Sequence, residues 1–116
     1  MSDRQRGNQR ENRVGAFLEV QGYWPFYSRG SRGTDIIALY LDGSEHGRNS
    51  LLIAVVRPTG PINENWTKLR ESPRIIGSFC LVVREVKNNR FVWYGNEDHR
   101  GGGSFEEALC RAAEAW

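Results

Sequence analysis

The sequence predicts an α/β domain in which helices flank a single mixed β-sheet, in the order α-β-β-β-α-β-β-α. Apolar residues recur at helical spacing near both ends of the chain, and five segments between these ends favour strands. A short amphipathic segment separates the third strand from the fourth, and such a segment permits a parallel crossover. These observations together indicate helices packed on one sheet.

The N-terminal helix is predicted over 9–21, where Val14 and Phe17 lie one helical turn apart. Gly22 supplies its C-terminal stop. Residues 1–8 precede the apolar pattern and are expected to form a flexible basic arm.

Two further helices follow from local signals. Residues 62–71 place Ile62 and Trp66 on one side of a short amphipathic helix. Near the C-terminus, Ser104 is the expected N-cap of a closing helix over 105–116, with Glu107 as its capping-box partner.

Five segments have the composition of β-strands. Pro25 restricts the first to a sheet edge or an interrupted strand. The second and third are mostly apolar and predict a central hairpin buried on both faces, whereas the fourth and fifth form a hairpin with its turn at Asn88 and Asn89. The segments are 23–28, 35–41, 50–56, 78–86 and 90–95.

Length and composition indicate one domain, spanning 1–116. With 116 residues, 39% of them hydrophobic, the chain can bury a modest core. It has no run of about eighteen apolar residues, and its polar N-terminus does not resemble a secretion signal. We therefore expect a soluble, cytoplasmic protein that does not enter a membrane.

Basic residues are concentrated at the N-terminal end. Residues 1–33 carry six arginines against three acidic side chains, although the net charge of the whole chain is only +2. Arginine suits phosphate oxygens because its planar fork donates two parallel hydrogen bonds and stays charged. We expect DNA, branched or duplex, as a partner. The expected DNA-binding residues are Arg4, Arg6, Arg10, Arg13, Arg29, Ser31, Arg32 and Arg57.

Three motifs carry a resemblance to a known family. The stretch RGNQRENRVGAFLEVQGY is followed by RGTDIIAL and then by the apolar strand LLIAVVRP. This series resembles the restriction-endonuclease-like fold, and most closely the small archaeal and phage Holliday junction resolvases. The resemblance implies a homodimer, with Glu11 on the first helix and Asp35 at a strand entry as catalytic residues that hold Mg²⁺.

The same resemblance implies that the catalytic site is degenerate. The family's third strand supplies a metal-binding carboxylate and a lysine, and these positions fall on Ala54 and Val56. Phosphodiester hydrolysis needs a divalent ion held by carboxylates, which polarises the phosphate and activates water. We therefore expect a DNA-binding protein whose nuclease activity is impaired or absent.

Two other functions stay open. The chain could be an active Mg²⁺-dependent, structure-specific endonuclease in which the string Glu85-Val86-Lys87 replaces the missing pair. It could also be a protein-interaction module, such as a phage-encoded inhibitor, on the same fold. Asp35 has an alternative role as well, because an aspartate at a strand entry often binds backbone N–H groups of its own loop.

Overall fold

The computed structural model describes residues 3–27, 34–40, 50–58, 60–71, 79–87, 90–95 and 102–115, and for 3–8, 70–71 and 113–115 it describes the backbone alone. The elements are α1 (Asp3–Val20), β1 (Tyr23–Tyr27), β2 (Ile36–Tyr40), β3 (Leu51–Val56), α2 (Ile62–Glu71), β4 (Phe79–Val86), β5 (Arg90–Tyr94) and α3 (Phe105–Ala115). This α/β architecture confirms the predicted order of elements.

The five strands form one mixed sheet in the order β1-β2-β3-β4-β5. Strands β3 and β4 are parallel, with Leu51 opposite Phe79 and Val56 opposite Arg84, and every other neighbouring pair is antiparallel. Helix α2 makes the crossover between the two parallel strands. Strand β1 lies at an edge of the sheet, where Pro25 was expected.

The helices divide between the two faces of the sheet. Helices α1 and α3 cover one face, where Phe17, Trp93 and Phe105 form an aromatic cluster with ring centroids 4.8–5.6 Å apart. Helix α2 covers the other face and buries Trp66 and Leu69 against β3 and β4. The sheet is therefore the middle of three layers and separates two apolar cores.

Helix α1 starts earlier than the sequence pattern indicated. It begins at Asp3, so residues 3–8, expected as a separate basic arm, form its first turns. Arg4, Gln5 and Arg6 in these turns are good helix formers, but the segment has no apolar periodicity to indicate a helix. The helix ends as predicted, because Gly22 has a positive φ of 95° and donates its N–H to the carbonyl of Glu19.

The central hairpin is only partly as predicted. Strand β3 is buried on both faces, but β2 exposes 41% of Leu39. The reason is the position of α2, which packs on β3 and β4 and leaves β2 uncovered on that face. The predicted turn at Asn88 and Asn89 lies outside the described residues.

The start of α3 has the predicted N-cap at Ser104, and Glu107 contacts its hydroxyl instead of its backbone N–H. Ser104 Oγ accepts the N–H of Glu107 at 3.2 Å, and the Glu107 carboxylate lies 3.3 Å from the same hydroxyl. The end of β5 approaches this helix closely. A Cβ added at Gly95 would lie 1.9 Å from the backbone oxygen of Ala108.

No helix within the described ranges is both long enough and apolar enough to cross a membrane.

We predict that Gly95→Ala lowers the free energy of unfolding by about 1–3 kcal/mol, because backbone of α3 would have to move. Gly103→Ala is the matched control, since its added Cβ would meet only the flexible carboxylate of Glu107, at 2.5 Å. Urea denaturation of both variants measures the difference. Equal stability of the two variants would contradict the close packing of Gly95 on α3.

Candidate functional site

The parallel pairing of β3 and β4 brings two charged residues to one end of the sheet. Arg57 directly follows β3, and Glu85 lies in the last part of β4. Because Val56 pairs with Arg84 in a parallel register, Arg57 and Glu85 occupy the next positions on neighbouring strands. The carboxyl ends of parallel strands are a common place for ligand binding.

An open pocket of about 310 Å³ lies at this end, between α1 and the start of α2. Its charged side chains are three cations from three different segments and one carboxylate from α2. Such an excess of positive charge favours an anionic ligand. The lining residues are Arg10, Val55, Val56, Arg57, Gly60, Pro61, Glu64, Asn65 and Lys68.

Two of these cations destabilise each other. Burial lowers the pKa of Arg10 from its usual value, the nearby charge of Arg57 lowers it further, and the charge of Glu11 opposes both effects. Arginine remains protonated in proteins despite such shifts. The fold therefore holds two positive charges close together, and an anion between them would relieve their repulsion.

Glu85 balances the other side of this basic cluster. One carboxylate oxygen accepts a hydrogen bond from Arg13, and the other lies 3.4 Å from Nε of Arg10. The Glu85 side chain is only 12% exposed, so screening by solvent weakens this pairing less than it would on an open surface. Both carboxylate oxygens are thus occupied by guanidinium groups of α1.

Asp35 joins β2 to β3. Its N–H donates to the carbonyl of Ile53 at 2.9 Å, and its Oδ2 accepts the N–H of Val55 at 2.7 Å. The side chain thus satisfies a strand N–H beyond the point where the ladder with β2 ends. Burial raises the pKa of Asp35 above its usual value, while the bond from Val55 and the charge of Lys68 partly oppose this.

The two positions expected to be degenerate, Ala54 and Val56, lie on the α2 side of β3. Ala54 and Val56 share a face, as predicted, but that face is buried beneath α2. Val55 packs instead on the side of α1 and α3 and contacts Asp35 through its N–H. On β3 and directly after it, Val55 is therefore the residue bonded to Asp35, and Arg57 is the residue near Arg10.

Two carboxylates at this end of the sheet are engaged in other interactions. Mg²⁺ is usually held by one or two protein carboxylates, while water and substrate oxygens fill its other positions. Asp35 uses one oxygen for the Val55 N–H, and Glu85 is held by Arg10 and Arg13. Glu11 is partly buried on α1, and within the described ranges no three His, Cys, Asp or Glu side chains form a group able to hold a metal.

The expected DNA-binding residues separate into groups. Arg10 and Arg57 line the pocket, and Arg13 is bound to Glu85. Arg4 and Arg6 lie in α1, with side chains outside the described part of the chain, and Arg29, Ser31 and Arg32 lie outside it entirely.

The sequence pattern missed Lys68 as a pocket residue. It follows Glu64 by four positions, so both lie on the polar side of α2 opposite the buried Trp66 and Leu69. That spacing indicates an ordinary solvated ion pair when it is read alone. Only the crossover geometry, which carries the start of α2 to the end of β3, brings Lys68 near Asp35 and Arg57.

No protein-family model matches the sequence, and no curated protein matches it. The site must therefore be interpreted from its own geometry.

We predict that Asp35→Asn becomes progressively more stable than the wild type as the pH rises from about 3 to 7. The raised pKa means that folded Asp35 binds its proton more tightly than the unfolded chain does, so the wild type loses this contribution as Asp35 ionises. Asparagine can still accept the Val55 N–H. Unfolding free energies across this pH range measure the effect.

Glu64→Gln is the control for loss of a negative charge, because Glu64 lines the pocket beside Asp35. The stability difference between Asp35→Asn and wild type should grow as the pH rises. If it stays constant or shrinks, the pKa of Asp35 is not raised by burial.

Proposed function

We propose that this chain is a DNA-binding protein on a scaffold that resembles a Holliday junction resolvase, and that it holds the phosphate backbone without cutting it efficiently. The observation that carries the proposal is the pocket in which Arg10, Arg57 and Lys68 converge from three segments. The repulsion between Arg10 and Arg57 favours a polyanion over a neutral partner.

The chemistry of the pocket suits phosphodiester oxygens. Arginine donates two parallel hydrogen bonds to a phosphate and keeps its charge, and lysine adds a compact point charge. Contacts of this type fix the position of a nucleic acid without reading its bases. The proposed protein therefore recognises the shape and charge of DNA, duplex or branched, rather than a particular sequence.

The lack of efficient cleavage follows from the residues around Asp35. Val55 supplies no ligand oxygen, and Arg57 is a cation that can bind a phosphate but cannot coordinate a metal ion. Metal-dependent hydrolysis needs an activated water molecule at the phosphate. The arrangement supports binding, with guanidinium groups at the place where the resemblance implies a metal ion.

The order of elements and the mixed sheet support the restriction-endonuclease-like part of the proposal. A four-way junction presents two equivalent strands, so a symmetric dimer would match it with two copies of the same pocket. We propose a homodimer on this ground. The protein-interaction alternative predicts a different result, namely no binding of any DNA even at low salt.

The double variant Arg57→Ala/Lys68→Ala should bind duplex DNA more weakly and with a flatter salt dependence. Each lost phosphate contact lowers the slope of log affinity against log salt by about 0.9, so the slope should fall by about 2. Fluorescence anisotropy over a range of salt concentrations measures it. Arg90→Ala is the control, because Arg90 is exposed on β5 and does not line the pocket. An unchanged slope in the double variant would refute the pocket as the phosphate site.

Glu85→Gln should tighten DNA binding, because it removes the carboxylate that Arg10 and Arg13 now share. We expect an increase in affinity of about 3- to 10-fold, which corresponds to about 1 kcal/mol. Fluorescence anisotropy measures the affinity. Glu64→Gln is titrated as the control, because it also removes a negative charge but does not release Arg10 and Arg13. Weaker binding by a folded Glu85→Gln protein would contradict competition between Glu85 and the DNA.

A further inference from the structure

Two aromatic rings stand exposed on β1. Trp24 is 57% exposed and Phe26 is 44% exposed, and their rings are stacked with centroids 5.5 Å apart and planes inclined by only 17°. Large aromatic side chains at this level of exposure are unusual in a small domain, where such rings normally fill the core. The stacked pair therefore leaves aromatic surface open to solvent.

The rings lie on the same face of the sheet as α2. In the antiparallel pair β1–β2, Phe26 is opposite Ile37 and Trp24 is opposite Leu39. Ile37 packs against the core beneath α2, and directly opposed residues share a face. Helix α2 covers only β3 and β4 on this face, which leaves Trp24, Phe26 and the 41% exposed Leu39 uncovered.

The strand that carries the rings is also near Asp35, whose side chain bonds the pocket residue Val55. Ile37 lies two residues along β2 from Asp35, and β1 is the next strand outward, so the backbone of Phe26 is about 8 Å from that of Asp35. Lys68, which lines the pocket, acts electrostatically on Asp35.

The charges around this surface indicate what kind of partner it binds. Strands β1 and β2 contain no acidic side chain, and the pocket beside them is lined by three cations. A partner that is both anionic and rich in flat aromatic groups complements the two features together, and unpaired nucleotides have these properties. Single-strand-binding proteins combine such an aromatic platform with a positively charged groove.

We propose that Trp24 and Phe26 form a stacking platform for unpaired bases of a DNA strand whose phosphates occupy the pocket lined by Arg57 and Lys68. The inference rests on the proposed DNA binding and narrows it to DNA with a single-stranded segment. Stacking on the rings is independent of sequence, because every base has an aromatic face.

The test measures the affinity of the full chain for two probes, a labelled oligothymidylate of about 12 nucleotides and a duplex of the same length. Trp24→Leu and Phe26→Leu keep apolar surface but remove the rings, and each should weaken binding of the single strand about 5- to 100-fold. Duplex binding should change by less than about twofold, because phosphate contacts carry it. Thermal unfolding confirms that both variants are folded.

Two variants serve as controls. Leu39→Ala removes apolar area from the same surface without touching a ring, and Val20→Ala alters an 82% exposed residue on α1. Neither should change single-strand affinity, whereas Trp24→Phe should retain most of it. A loss with Leu39→Ala equal to that with Trp24→Leu would overturn stacking in favour of nonspecific apolar contact.

Other results would also overturn the platform. If folded Trp24→Leu binds oligothymidylate as tightly as wild type, the platform is refuted while the proposed DNA binding stands. If wild-type protein sediments as a dimer that Trp24→Leu dissociates, with single-strand affinity unchanged, the surface is a self-association interface. If wild-type protein binds neither probe at low salt, the platform and the proposed DNA binding are both refuted.

Discussion

The burial of β3 on both faces is the constraint on which the rest of the structure depends. Four successive residues of this strand, from Leu51 to Ala54, are almost completely shielded from solvent, between α2 on one side and the core under α1 and α3 on the other. Burial of a strand on both faces is typical of parallel pairs, whose helical crossover covers the sheet, as α2 does here. The crossover places the start of α2 beside the end of β3. Polar side chains are therefore absent from the buried part of the strand and lie at its end.

Electrostatic pairing then determines what that end can bind. Of the two arginines on α1 that pair with Glu85, Arg13 is hydrogen-bonded to it, whereas Arg10 is also near the like charge of Arg57. A carboxylate held by two guanidinium groups is a poor metal ligand, because coordination would have to break both interactions. The same cations are well suited to a phosphate. The resemblance to nucleases is therefore compatible with the proposed loss of cleavage. Positions that hold a metal ion in a nuclease can instead hold the phosphates of DNA.

The sequence was sufficient for the order of elements, because caps, turn residues and apolar periodicity are local signals. Ser104, Glu107 and Gly22 each act at the predicted position. It was insufficient for the orientation of β3. LLIAVV is a continuous apolar run without alternation, so it does not show which residues face α1 and which face α2. The pairing of Arg13 with Glu85, 72 residues apart, and the approach of Lys68 to Asp35 depend on tertiary packing that no local pattern contains.

One measurement tests the central claim that this end of the sheet binds DNA but does not hydrolyse it. A labelled four-way junction and a duplex of matched sequence are incubated with the protein in Mg²⁺, in Mn²⁺ and in chelator. Each sample is then divided and examined for retardation in a native gel and for strand scission in a denaturing gel. We predict retardation that is unaffected by the chelator, with intact strands in all samples. Symmetric, metal-dependent cuts in the junction would contradict this, and would require a set of carboxylates that Glu85 and Asp35, in their present pairings, do not provide.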